Sequence, residues 1–294
     1  MDKKERVKNA ISGRPADCLP VGFPVALEGA DAVRHFLDSV DADLILLKPG
    51  FVLYEPYDVQ DVSSYAYAVN GAALKVEAIK RQLEEVSQHA LSAGDVFTLG
   101  ALPGVVAAAV QPLLGEGRGY EEALCMLVSL LRSSPYIMFE ALSNIAEMLS
   151  RLASAFGRAG VDGLYYTALG GEARYIGKQD FDSWIAPLDK QVLGMAHGAG
   201  LPVFLRTGEP EEVYSSYSGF ADVFSWGTER YGAKPFFGGL ARLIDGTDEE
   251  IRQMVARRIL LSGRSGLILG PDGTLSSHQS LSKLQVAVET AHLL

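Results

Sequence analysis

The chain is poor in cysteine. Cys18 and Cys125 are the two present in 294 residues, too few for a disulfide framework and not spaced like metal ligands. Positive charge is also short. Lys and Arg number 26 against 36 Asp and Glu, a formal net charge of -10. That field repels nucleic acid and anionic membrane, so neither is expected as a partner, although a local basic pocket stays allowed. No apolar run reaches about 18 residues, so no transmembrane helix is expected. The opening "MDKKERVKNA" lacks the apolar stretch of a secretory signal, which leads to the expectation of a cytoplasmic protein with reduced thiols. A Gly-x-Ser-x-Gly elbow is missing. "GEGRG" at 115–119 has no strand directly before it and no Lys-Ser/Thr after it, so it reads as a loop rather than a phosphate cradle. The five histidines are scattered and no pair has metal-ligand spacing. His197 sits near a helix end, His35, His89 and His292 read as surface residues, and His278 alone falls near a strand's far end.

What the sequence does have is rhythm. Short apolar runs recur, each ending in glycine, a charge or a polar residue: "LPVGF" (19–23), "ADLILLK" (42–48), "DVFTLG" (95–100), "VDGLYYT" (161–167), "LPVFLR" (201–206), "ADVFSW" (221–226), "KPFFGG" (234–239) and "SGLILG" (265–270). Helix-like text separates most of them. In 140–160, Leu142, Ile145, Leu149, Leu152 and Phe156 share one face and Gly160 can cap the end. Residues 179–198 offer Asp180 as an N-cap, and 247–262 open on Thr247 followed by acids. Strands alternating with helices make a parallel sheet, and eight of them predict a closed (β/α)₈ barrel, with an open doubly wound sheet as the alternative. Two regions interrupt the alternation. Residues 54–76 read as a β-hairpin excursion after strand 2 turning at Asn70-Gly71, and 101–140 hold extra helices between strands 3 and 4. No linker divides the chain, so 1–294 is expected to be one domain.

In such a barrel, polar residues at the C-terminal strand ends are the first candidates for chemistry. They are Lys48, Thr167, Arg206, Ser225 with Trp226, Glu229 and Asp272. Lys48 ends an apolar strand and can hold an anion or point into solvent. Arg206 can hold a substrate carboxylate bidentately, or close an internal salt bridge with Glu229 or Asp272. Glu229 and Asp272 are candidates for general acid and base, against the plainer reading of solvated loop carboxylates. Tyr165 and Tyr166 must point to opposite faces of their strand. Tyr166, Thr167, Trp226 and His278 form the expected substrate-binding group. Phe51, Tyr54, Tyr57, Tyr65 and Tyr67 either stack on a flat ligand or form the apolar face of the excursion.

The opening "KKERVKNAISGRPADCLPVGF", the stretch "GVDGLYYTALGG" and the later "FDSWIAPLDKQVLGMAHGAGLPVFL" resemble the uroporphyrinogen decarboxylase family. Its superfamily includes the cobalamin-dependent methyltransferases that move methyl groups between corrinoid proteins and thiols. The resemblance covers most of the chain and implies a distorted (β/α)₈ barrel with its cleft at the strands' C-terminal ends. It also implies a small anionic or tetrapyrrole-like ligand, a corrinoid protein as a further partner, and a family habit of pairing barrels into homodimers. The working residues differ. Where the decarboxylases keep arginines after strand 1, "FPVALEGADAVRHF" has Glu28 and no arginine before Arg34; where they keep an aspartate after strand 2, Lys48 stands. Pro271 and Asp272 replace their last-strand histidine. Where the methyltransferases keep His-x-Cys after strand 5 and a cysteine after strand 8, this chain has Arg206 and Gly208, then Asp272 or Gly273. Arginine does not lose its proton to ligate a metal, so no metal and no cofactor is expected. The expectation is a divergent member that decarboxylates or methyl-transfers an anionic or tetrapyrrole- or corrinoid-related compound. A non-catalytic barrel that binds a ligand or a corrinoid protein is the alternative.

Overall fold

Each of the eight apolar runs contains a strand: β1 (Gly22–Phe23), β2 (Leu44–Leu47), β3 (Phe97–Pro103), β4 (Gly163–Ala168), β5 (Val203–Thr207), β6 (Val223–Ser225), β7 (Phe236–Gly239) and β8 (Leu267–Gly270). They lie in chain order, each parallel to the next. A doubly wound sheet would reverse its order partway; this one does not. The ends meet through a parallel bridge between Val21 and Leu269, where the Leu269 N–H donates to the Pro20 carbonyl at 2.8 Å. The chain is therefore a (β/α)₈ barrel. The computed structural model describes residues 1–25, 27, 29–47, 50–115, 117–168, 175–207, 217, 219–225, 235–240, 246–271, 273, 275 and 280–294. Among them, no helix is long and apolar enough to cross a membrane.

Strand alternation decides what fills the barrel. Leu44, Leu46, Phe97, Leu99, Tyr165, Phe204, Val223, Phe237 and Ile268 point inward and form one cluster. Phe204 meets Phe97 and Phe237 with ring centroids 6.2 and 6.0 Å apart, and Tyr165 meets Phe237 edge-on at 6.4 Å. The interior is thus a packed aromatic column rather than a pore. Gly270 is glycine because a Cβ there would fall 2.4 Å from the Phe237 ring and 2.7 Å from the Gly22 carbonyl. Helix α1 (Lys3–Ile11), capped by the Asp2 carboxylate, lends Val7 and Ala10 to the same cluster.

The outer layer follows the predicted helical text. It comprises α2 (Ala30–Ser39), α3 (Val62–Tyr67), α4 (Val76–Ser92), α5 (Val105–Val110), α6 (Tyr120–Ser133), α7 (Pro135–Arg158), α8 (Lys178–Asp180), α9 (Ala186–Gly198), α10 (Asp248–Ser262) and α11 (Leu281–Leu293). The five predicted α7 positions, Leu142 to Phe156, are all buried, each worth about 1.5–3 kcal/mol of apolar burial. Thr247 and Glu250 form a reciprocal capping box at the start of α10. Asp180 makes no cap: α8 runs through a π turn at Phe181–Ile185 into α9, so the aspartate sits inside the helical run.

The excursion after β2 differs from the expected hairpin. A single antiparallel bridge, Tyr54 to Leu74, closes its base, but between them the chain turns helical from Val62 through Ala72 instead of pairing as a hairpin. Asp61 and Ser64 form a capping box that starts α3, and the helix winds into a π turn at Ala68–Ala72. Asn70-Gly71 lies in that turn, where Gly71 at φ 156 breaks the helical path. Phe51, Tyr54 and Tyr65 are core residues, and the Tyr65 hydroxyl donates to the Ala109 carbonyl at 2.9 Å. The expected helices between β3 and β4 are α5, a 3₁₀ turn at Gln111–Leu113, α6 and most of α7.

The N-terminal end of the barrel carries a pattern of its own. Asp43, Asp162 and Asp222 each stand immediately before an even-numbered strand. Each accepts a backbone N–H from the preceding strand or the residue leading into it: Val21 just before β1 at 2.9 Å, Thr98 on β3 at 2.9 Å and Val203 on β5 at 2.7 Å. Each also meets a base. Asp43 pairs with Arg6 and, at 3.0 Å, with His292; Asp162 pairs with Lys4 at 3.0 Å; Asp222 pairs with His197 at 2.9 Å. His292 is therefore a partner of a buried acid rather than a solvated residue. His89, at 1% exposure, is likewise core rather than surface.

Candidate functional site at the barrel mouth

The register places three polar residues side by side at the C-terminal end. Thr167 on β4 pairs with Arg206 on β5, and Arg206 pairs with Ser225 on β6. Tyr165, Phe204 and Val223 point into the barrel, so the residues two places later point the same way. Thr167, Arg206 and Ser225 therefore share the inner face, on neighbouring strands about 4.8 Å apart. Just below them, the Tyr165 hydroxyl and Ser225 Oγ are hydrogen-bonded at 3.2 Å. The tyrosine caps the aromatic column and holds the serine.

Arg206 is half-buried. Among the described residues its guanidinium has no hydrogen-bond or ion-pair partner. An arginine carries five donors in a fixed fork, and here it ends a strand beside two hydroxyl-bearing neighbours, with no acid paired to it among the described residues. Lys48, Glu229, Asp272, Trp226 and His278 lie outside the described residues. Of the eight predicted site residues, the structure thus brings Thr167 and Arg206 together and places Tyr166 elsewhere. Tyr166 is wholly buried and faces the helices; its neighbour Tyr165 is the one inside the barrel.

Tyr166 belongs to a second cluster behind the mouth. Its hydroxyl donates to the Asp189 carboxylate on α9, as does the hydroxyl of Tyr217, which lies between β5 and β6. The Val105 N–H at the start of α5 donates to the same carboxylate at 2.9 Å. Asp189, Tyr166 and Tyr217 are all buried. Burial pushes the Asp189 carboxyl above its ordinary range, against the pull of the three donors. Burial, reinforced by the neighbouring carboxylate, pushes both phenols well above theirs. One acid thus ties together β4, α5, α9 and the segment that follows Arg206. Asp189 sits in the first turn of α9 between Leu188 and Lys190, and the one sequence signal for it is a charged residue on a buried helical face.

The described residues at the mouth offer no donor set for the zinc that the superfamily resemblance raises. Arg206 stands where that resemblance would put the first ligand, and a guanidinium repels a cation. Among the described residues, no three His, Cys, Asp or Glu side chains are grouped to hold a metal ion.

No family model matches the chain, and no curated protein matches it. Solved structures do. The chain is similar to a methyltransferase from Methanosarcina mazei, at 15% identity, with 99% of this chain and 98% of that one covered and a TM-score of 0.74. It is also similar to a B12-independent methionine synthase from Shewanella sp. W3-18-1, solved with selenomethionine, at 10% identity, 94% and 97% coverage and a TM-score of 0.53. At such identities the likeness speaks for the barrel fold.

Proposed function

We propose that the chain is a divergent uroporphyrinogen decarboxylase-like barrel enzyme that transfers a methyl group to or from a small anionic substrate held at Arg206. The observation that carries this reading is the half-buried guanidinium on the inner face of the mouth, which pairs with no acid among the described residues. A carboxylate or sulfonate would take two N–H donors from the fork, with the Thr167 and Ser225 hydroxyls on either side. Tyr165 holds Ser225 in place beforehand, so the site needs little reorganisation when charge moves. Methyl transfer is favoured over decarboxylation by two fold neighbours, one named a methyltransferase and one a B12-independent methionine synthase.

The test uses free methylcobalamin as methyl donor and compares 3-mercaptopropionate with the uncharged 2-mercaptoethanol as acceptor, followed by the absorbance change on demethylation. The wild type is expected to prefer the anionic thiol. Arg206→Ala is expected to lose about a hundredfold in kcat/KM for that thiol alone. Equal rates with both thiols, or no change in Arg206→Ala, would remove Arg206 from the reaction. Anion binding without turnover would favour a non-catalytic binding barrel.

A further inference from the structure

At the opposite end of the barrel from Arg206, a cavity of about 300 Å³ opens between the end of α1 and the turn before β8. Ala10, Leu19 and Pro20 give it an apolar floor, and Arg14 and Arg264 stand on its rim. Both arginines are exposed, and among the described residues neither guanidinium has a hydrogen bond or ion pair. The bases earlier in α1 behave differently: Lys3 pairs with Asp41, Lys4 with Asp162, and Arg6 with Asp17 and Asp43. In a chain of net charge -10, two cations on one rim that no described acid engages leave a place for an external anion. The nearby Asp17 is already engaged by Arg6 and the N-terminal ammonium. Cys18 also lines the cavity, and burial pushes its thiol up to about 11, so it is a neutral neighbour at ordinary pH.

The two rims are fixed relative to each other. The Ser265 hydroxyl donates to the Gly13 carbonyl at 3.1 Å. Gly13, Gly263 and Gly266 hold the flanking turns at φ 66, 67 and 70, conformations that favour glycine.

We infer that this cavity is a second binding site, for a small carboxylate with a compact apolar body. The carboxylate sits between Arg14 and Arg264, and the body rests on Ala10, Leu19 and Pro20. Two guanidinium forks suit a carboxylate's paired oxygens, and the floor rewards an apolar body over a bare inorganic ion. A bound ligand clips α1, which closes the barrel floor, to the turn that leads into β8. It therefore stabilises the native state by mass action.

The test is isothermal titration of sodium benzoate at constant ionic strength, with thermal melting alongside. It is run in the full chain carrying Arg206→Ala, so that an anion at the mouth contributes nothing and the two sites succeed or fail separately. One benzoate per chain is expected, with a melting temperature that rises with concentration. Adding Arg14→Ala or Arg264→Ala weakens binding about tenfold each, while the ligand-free melting temperature holds because both side chains are exposed. Benzyl alcohol, with the same ring and no charge, binds at least about tenfold more weakly than benzoate. The inference is overturned if benzoate does not bind, if benzyl alcohol matches it, or if affinity survives the loss of both arginines.

Discussion

Asp43 and Arg206 lie at opposite ends of the same sheet, and their surroundings differ in kind. Asp43 is fully buried and spends its oxygens on a backbone N–H, a guanidinium and an imidazole. Asp162 and Asp222 repeat the arrangement before β4 and β6. Arg206 has the same capacity for strong bonds and, among the described residues, none of them is made. A charge that is fully bonded is fixing the fold; a charge held half-buried and unbonded is available to something else. In barrels of this type the N-terminal face carries stability and the C-terminal face carries chemistry, and here the division is visible in how each charge is used.

The largest effect should come from the bonded end. Asp43→Ala leaves the Val21 N–H and the inner side of Arg6 without an acceptor, a loss of about 3–5 kcal/mol in unfolding free energy. Urea denaturation measures it. A loss below about 1 kcal/mol would mean that the pairing is no stronger than a surface ion pair, and the contrast between the two ends would fail.

Asp189 sits between these extremes, because it is fully bonded yet lies behind the mouth. Its folded carboxyl titrates above the ordinary carboxylate value. The native state therefore binds this proton more tightly than the unfolded chain does. The associated stability is fully present below the unfolded value and is lost as pH rises through the folded one. Asp189→Asn removes that slope. It keeps one oxygen for Tyr166 and Val105 and faces Tyr217 with an amide donor, at a cost of about 1–3 kcal/mol. The gap between wild type and variant should be widest at and below the unfolded carboxylate value, about pH 4, and narrow as pH rises through the raised folded value. Urea midpoints across that range decide it, since a gap that widens with pH would mean that the three donors outweigh burial.

How much of this was legible in the sequence depends on what each signal fixes. Apolar runs ending in glycine or charge fixed eight strands and their order, because a buried parallel strand has no other way to end. "DVSSYAYAVNG" misled, because Asn-Gly is the strongest local hairpin signal while Asp61 with Ser64 is an equally local helix start. Burial of Tyr65 against α5 settled it for the helix. Alternation showed that Tyr165 and Tyr166 face opposite ways, but only register with Phe204 and Val223 shows which one faces in. The even-strand aspartates left a trace in the "AD", "VD" and "AD" that open three strands. Their partners lie up to 249 positions away, beyond any local reading. Arg206 was the reverse case: an apolar strand ending in a lone cation announced itself, and its lack of a partner among the described residues is what the structure adds.

That lack of a described partner gives the smallest and most telling stability effect. Arg206→Ala removes a guanidinium that bonds to no described residue, so unfolding free energy should move by no more than about 0.5 kcal/mol. An arginine that served the fold as Arg6 does would cost several times that when removed. The same substitution is expected to abolish the preference for an anionic thiol, which a structural role would leave in place. Urea denaturation and the thiol comparison on one preparation therefore separate the two uses of charge. A large loss of stability would move Arg206 to the same class as Asp43 and leave the mouth without its anchor.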